Sequence, residues 1–178
     1  MINKHMDAIN TKKKILIVIL MVVCLSGCDL ATKKIAYDNL KGQSVQSYLS
    51  GTLKLFYTEN SGGMLSLGSG LPDKIKFTIF VVGITLLLVF LFLYSVFKKN
   101  LTLLQFLSCI LFIAGGLGNL IDRIFHDGKV TDFLVIQMFG LGTGVFNFAD
   151  FYVTVGLLLL IIAMFVQPKK NNEDTIQA

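Results

Sequence analysis

Residues Gly115 to Asp150 read GGLGNLIDRIFHDGKVTDFLVIQMFGLGTGVFNFAD. The stretch leaves one long apolar segment and ends inside the next. Along it Asn119, Asp122, Arg123, Asp132, Asn147 and Asp150 stand among mostly apolar residues. Ionisable groups in or at the edge of a bilayer are costly, so they mark functional positions by default. The rest of the chain explains how such a stretch could sit at a membrane.

Of 178 residues, 54% are hydrophobic, and the mean hydropathy is +0.72. That composition belongs to membrane proteins rather than to soluble domains. A spanning helix needs roughly 20 mostly apolar residues. Four segments qualify: about Ile15–Cys28 with an extension to Tyr37, Ile75–Phe97, Leu101–Ile121 and Phe146–Val166. The expected fold is an all-α membrane bundle of four transmembrane helices forming a single domain over 1–178. Residues 1–11 read as a disordered cytoplasmic tail and 169–178 as a second cytoplasmic tail.

The net charge is +5, but the lysines flank apolar segments and form no separate basic domain. Nucleic acid is therefore excluded as a partner, and membrane lipid is the expected surround. Lys12–Lys14, Lys98–Lys99 and Lys169–Lys170 fall on one side of an even number of crossings, which the positive-inside rule makes the cytoplasm. Both termini are then expected on the cytoplasmic side of the membrane. The longer connections, Asp38–Lys74 and Arg123–Val145, face outward, although Lys41, Lys54, Lys74, Lys76 and Lys129 lie in or beside them.

The first outer connection contains a β-rich cap over 41–71. Ser44–Tyr57 partly alternates apolar and polar residues and is rich in β-formers, and several glycines follow. Glu59-Asn60-Ser61-Gly62-Gly63 reads from composition as a turn, and its Asn60 amide could also meet a substrate backbone. At the end of the first segment, Asp29 and Lys33 share a helix face. They form either a solvated ion pair or a group that positions a site. Gly115, Gly116 and Gly118 read as close-packing positions. Asn119 and Asp122 share a face, as do Asn147 and Asp150. Asp122 with Arg123 fits a structural network as well as a functional one. Asp150 suits a helix N-terminus, but capping leaves Asp132 unexplained.

Other chemistries fall away on residue inventory. The histidines are His5, in the N-terminal tail, and His126, in a polar loop; neither has a nucleophile beside it. No HExxH helix, phosphate loop, dinucleotide fingerprint or Cys/His cluster is present, so neither a metal nor a cofactor is expected. Cys24, Cys28 and Cys109 do not read as a disulfide framework, and Cys24 and Cys109 read as apolar packing residues. Paired carboxylates remain. Two aspartates in a low-dielectric site cannot both ionise easily and share a proton. They can then divide acid and base duties, which points to Asp132 and Asp150 as the catalytic pair of an intramembrane aspartyl protease.

From about Asp29 to Gly156 the sequence resembles bacterial lipoprotein signal peptidases, the signal peptidase II family. The resemblance rests on Gly115-Gly116-Leu117-Gly118-Asn119-Leu120-Ile121-Asp122-Arg123, Val130-Thr131-Asp132-Phe133 and Phe146-Asn147-Phe148-Ala149-Asp150. Asp29-x-x-Thr32-Lys33 and Asn60-x-Gly62 match further motifs. It implies four transmembrane helices with a small extracytoplasmic β-cradle. It also implies a catalytic dyad of Asp132 and Asp150, near the extracytoplasmic face. Asp29, Lys33, Asn60, Asn119, Asp122, Arg123 and Asn147 would support the site or contact substrate. The implied reaction removes the signal peptide from diacylglyceryl-modified prolipoproteins just before the lipidated cysteine, with globomycin-type peptides as inhibitors. One bundle holding the whole site implies a monomer.

Gly63-Met64-Leu65, Leu30, Phe151 and the absence of proline before Phe146 depart from the family pattern and bear on cradle shape, substrate preference and inhibitor sensitivity. Leu25-Ser26-Gly27-Cys28 looks like a lipobox but falls inside the first helix, so it is expected to stay uncut. Two competing readings are a membrane paralogue that binds without cutting and a transporter using the aspartates as a proton relay. The second lacks an internal repeat.

Overall fold

The computed structural model describes residues 9–63 and 66–166. Both tails, Met64 and Leu65 lie largely or wholly outside them, so the expectations for 169–178 and for most of 1–11 are not addressed. Four helices are long and apolar enough to cross a membrane: α1 Thr11–Leu40, α2 Asp73–Phe97, α3 Leu103–Phe125 and α4 Phe148–Phe165. Each begins where local chemistry allows. The Asn10 side chain caps α1 by accepting from Lys13 N at 2.9 Å. Pro72 stands at the position before the first helical residue of α2, where its missing N–H costs nothing. Thr102 and Gln105 form a reciprocal capping box on α3. The Asn147 side chain caps α4 by accepting from Asp150 N at 2.9 Å. Inside α2 the turn Thr78–Gly83 widens to π-helical geometry.

Helix α3 is the hub. Half of its apolar window is buried, against about a fifth for the other helices. Its Phe106, Ile110, Ile113 and Ala114 pack with Val18 and Val22 of α1 and with Leu101. Three of its glycines each face a different neighbour. A Cβ on Gly115 would strike the Ala149 carbonyl and Val153 of α4, one on Gly116 would meet Leu88 of α2, and one on Gly118 would strike the Asp29 carboxylate of α1. Close packing does explain these glycines, and Gly118 in addition makes room for a charged group.

A four-stranded antiparallel sheet sits on the end of the bundle where α1 and α3 finish. Its order is β1 Gln46–Tyr48, β2 Leu53–Asn60, β3 Val130–Met138 and β4 Leu141–Gly142. Only half of it lies in the 41–71 cap. The other half comes from the second outer connection, where Val130–Met138 supplies the nine residues of the longest strand. The β2–β3 register shifts between Leu55 and Thr58, so two residues of β2 are accommodated opposite one of β3. Beyond that bulge Thr58 faces Asp132 and Asn60 faces Val130. Asn60 and Asp132 are thus diagonal neighbours on one face of the sheet, within reach of each other's side chains. Ala36 and Leu40 of α1 pack with Phe133 beneath the sheet.

Gly27 and Cys28 lie in mid-helix on α1, with Cys28 exposed and Asp29 fully buried beside it. The lipobox-like segment is therefore ordered helix rather than an extended strand.

Candidate active site

The sheet and three helix ends bring the polar residues together. Asp132, from β3, is buried. Asn147 Nδ2 donates to its Oδ1 at 2.6 Å and Asn60 Nδ2 to its Oδ2 at 3.0 Å. Asp150, in the first turn of α4, is half-buried, and Asn119 Nδ2 donates to its Oδ1 at 2.9 Å. Among the described residues neither carboxylate forms an ion pair. Burial, and next the charge of Asp150, push the Asp132 carboxyl up to about 6. The asparagine hydrogen bonds pull the other way.

Two asparagines hold the arrangement. Asn147 touches both carboxylate-bearing residues: its Nδ2 reaches Asp132, the Thr131 carbonyl at 3.2 Å and Asn119 Oδ1 at 3.2 Å, while its Oδ1 accepts from Asp150 N. Asn119 relays from α3. Its Oδ1 accepts from Lys33 Nζ at 2.8 Å, and its Nδ2 holds Asp150.

Behind the asparagines lies a buried charge cluster. Lys33 Nζ is 2.8 Å from Asp29 Oδ2 and 3.1 Å from Asp122 Oδ2, with all three side chains almost fully buried. Asp29 and Lys33 therefore do not form a solvated helix end: Asp29 Oδ1 accepts from Ala149 N at 2.8 Å and fastens α1 to the first turn of α4. Asp122 accepts from Thr131 N at 2.9 Å, fixing the strand residue next to Asp132. Neither Asp29 nor Asp122 contacts the Asp132 or Asp150 carboxylate through a hydrogen bond. Breaking such a cluster leaves an uncompensated buried charge, which costs about 3–5 kcal/mol.

Arg123 does not pair with Asp122. Its guanidinium donates to the Gly62 carbonyl at 2.7 Å and the Asn119 carbonyl at 3.2 Å, lies over the Phe80 ring, and keeps a buried Nε without a protein partner. Asn60 closes a turn on itself, accepting from Gly62 N at 2.9 Å, while its amide reaches Asp132. The turn expected there is present, and in this structure the Asn60 amide is directed to Asp132. His126 is exposed, with Nδ1 3.4 Å from Asp122 Oδ1.

Three participants escaped the sequence reading. Thr131 acts through its backbone N–H and carbonyl, Gly62 through both of its backbone groups, and Ala149 through its N–H. Main-chain donors have no residue-type signature, although Thr131 and Ala149 each precede an aspartate and Gly62 lies in a motif already noted.

Two cavities lie in this part of the molecule, and one of them reaches Asp150. One of about 530 Å³ is lined by Ser61, Lys76, Phe77, Phe80 and Arg123 among others. The second, about 250 Å³ and mainly apolar, lies between Thr143–Phe146 and the Asp150, Phe151 and Thr154 side of α4.

Fold and site together define a multi-pass membrane protein in which a buried carboxylate on the sheet and a half-buried one at the head of α4 are joined through Asn147. A family model described as signal peptidase (SPase) II matches residues 18–166. The chain belongs to the signal peptidase II family, and so to the peptidases. It is 36% identical over 136 residues to the lipoprotein signal peptidase of Borrelia duttonii, covering 74% of this chain and 79% of that protein. It is 28% identical over 158 residues to that of Borreliella burgdorferi strain B31, covering 86% and 92%. A bacterial membrane enzyme solved by the in meso method at 1.9 Å superposes with a TM-score of 0.73 at 26% identity, over 94% of this chain and 99% of that one. Another such structure, at 2.3 Å, gives 0.68 at 26% identity over 100% and 98%.

Proposed function

We propose that this chain is a lipoprotein signal peptidase of the aspartyl type, which removes signal peptides from diacylglyceryl-modified prolipoproteins just before the lipidated cysteine. The observation that carries the aspartyl reading is the Asp132–Asp150 pair, held by amide donors from Asn60, Asn119 and Asn147, with no ion pair among the described residues to neutralise either carboxylate.

In the proposed reaction the ionised aspartate takes a proton from water as its oxygen attacks the scissile carbonyl. The protonated partner gives its proton to the carbonyl oxygen, producing a neutral gem-diol. Collapse of that intermediate breaks the C–N bond. One proton returns to the dyad from a diol hydroxyl and one passes to the departing amine, so the dyad ends with the single proton it began with. Asn60 and Asn147 orient Asp132, and Asn119 orients Asp150. Lys33 adds positive potential near both without binding either. The substrate chain passes beside Asp150, where the mainly apolar cavity against Thr143–Phe146 opens. Since all of these groups belong to one chain, it works as a monomer, with both termini cytoplasmic and the dyad near the outer face of the inner membrane.

The test is a gel-shift assay of purified protein with a diacylglyceryl-modified prolipoprotein. Wild type, Asp132→Asn and Asp150→Asn run side by side, with and without chelator. Cleavage by wild type alone, unchanged by chelator, is expected. A folded wild type that binds the prolipoprotein without cutting it would overturn the enzymatic reading. Chelator-sensitive cleavage would overturn the aspartyl one.

A further inference from the structure

The sheet ends in a hairpin that fits water poorly. Strands β3 and β4 are joined at Phe139-Gly140, both with positive φ, 53° and 78°. Such tight turns favour asparagine or glycine, and a bulky aromatic in the left-handed region is uncommon. Here the phenylalanine is also 93% exposed, the most open of the large apolar side chains among the described residues. Met138 and Leu141 flank it, mostly exposed, and Ile136 follows two residues back. From Val130 to Phe146 the sole charged residue is Asp132, which is buried. The exposed surface of the hairpin thus carries no charge. The preceding turn, by contrast, is exposed and carries His126, Asp127 and Lys129.

The position of the hairpin selects its surroundings. Its return limb, Thr143–Phe146, shares a cavity with Asp150, Phe151 and Thr154. Thr154 is six residues into α4, so that limb lies alongside the helix to a depth of about 9 Å from its start. There Phe148 and Phe151 are exposed, as lipid-facing side chains of a spanning helix are. The apolar hairpin surface therefore adjoins the apolar outside of α4.

We propose that the tip Met138–Leu141 is immersed in the acyl region of the leaflet next to α4 and so anchors to lipid the sheet that carries Asp132. This rests on the bundle spanning a bilayer and does not depend on the catalytic reading. Exposed apolar groups with no charges among them are what an interfacial segment requires.

The chain contains no tryptophan, so a single substitution gives a clean fluorophore. Phe139→Trp, Leu141→Trp and, for comparison, His126→Trp in the charged turn would each be reconstituted in phosphatidylcholine–phosphatidylglycerol vesicles. Emission would be read with lipids brominated along the acyl chain and with acrylamide in the water. The expected result is that bromolipid removes most of the emission at positions 139 and 141, with acrylamide weak. His126→Trp should respond in the reverse sense. If tryptophan at 139 disturbs the turn, the variant at 141 carries the test alone. Quenching at 139 and 141 by acrylamide but not by bromolipid would overturn the proposal. So would blue-shifted emission that neither quencher reaches, because a second protein copy would then cover the tip.

Discussion

Asn147 joins the proposed dyad to its scaffold, and replacing it separates two roles that coincide in one side chain. Its Oδ1 caps α4 on Asp150 N, and its Nδ2 holds Asp132 at 2.6 Å. Losing an N-cap costs about 1 kcal/mol, and losing a hydrogen bond to a charged group about 1.5–3 kcal/mol. Asn147→Ala loses both, so about 2.5–4 kcal/mol of stability should go. Asn147→Ser keeps a capping oxygen but has no amide to offer Asp132, so it should lose only the second part. In activity the two variants should look alike. An ångström of misplacement at a reacting group costs about 100-fold, and that loss should appear in kcat with little change in KM. The hydrogen bond from Asn147 also opposes the upward push on Asp132, so the alkaline limb of the pH–rate profile should move upward in Asn147→Ser. Thermal melts in detergent, prolipoprotein kinetics and the pH profile give three separate readouts. A serine variant with near-wild-type kcat and an unmoved profile would refute the reasoning, because Asn147 would then be a helix cap and nothing more.

Further expectations concern pH and packing. Because the Asp132 carboxyl is pushed from an ordinary 3.8 up to about 6, the protonated form it contributes is complete at low pH and lost as pH rises through about 6. On the proposed mechanism kcat/KM should decline over that range, and a profile flat from pH 5 to about 8 would count against Asp132 as proton holder. The same shift makes its contribution to stability complete below 3.8 and lost as pH rises through about 6. The melting temperature of wild type relative to Asp132→Asn should fall over that window, as melts at both ends would show. Glu59 behaves in the opposite sense. Hydrogen bonds from Lys129, Tyr57 and Lys41 lower it from 4.5 to about 2, so its contribution is present above 4.5 and lost as pH falls through about 2. Being partly exposed, it should contribute about 1 kcal/mol or less, and the difference between wild type and Glu59→Gln should shrink in high salt. Gly118→Ala drives a methyl group into the Asp29 carboxylate and should cost about 1–3 kcal/mol. A melt unchanged from wild type would show that α1 and α3 can part there freely.

The sequence made the helices readable because an apolar run long enough to cross a bilayer has few other uses. It announced the sheet only in part. Val45, Tyr48 and Leu53–Tyr57 alternate well enough to suggest strands, whereas Val130–Met138 follows a helix end and is apolar on both faces from Phe133 to Ile136. Its pairing with β2 also depends on a bulge that no residue between Leu55 and Thr58 announces. Asn119, Asp132, Asn147 and Asp150 stood out because polar groups are conspicuous in an apolar setting, and Asn60 through its motif. Depth was harder to read. Asp29 and Lys33 have the spacing of an ordinary surface pair, and only the packing of α1 against α3 and α4, with Gly118 leaving space, turns them into a buried cluster. The partner of Arg123 was illegible for another reason: it is the carbonyl of Gly62, across the fold.

Asp150 belongs to the helical bundle, whereas Asp132 rides on the sheet. If the sheet lifts from the bundle, Asp132 leaves with it, and the bundle keeps one carboxylate that cannot complete the reaction alone. Assembly of the proposed site is therefore a coincidence requirement. The sheet must be seated, Asn60 must reach across from β2, and Asn147 must engage both aspartates at once. On the proposed mechanism a protease surrounded by transmembrane helices would be inert until its two carboxylates meet, because one rides on the sheet and the other on the bundle.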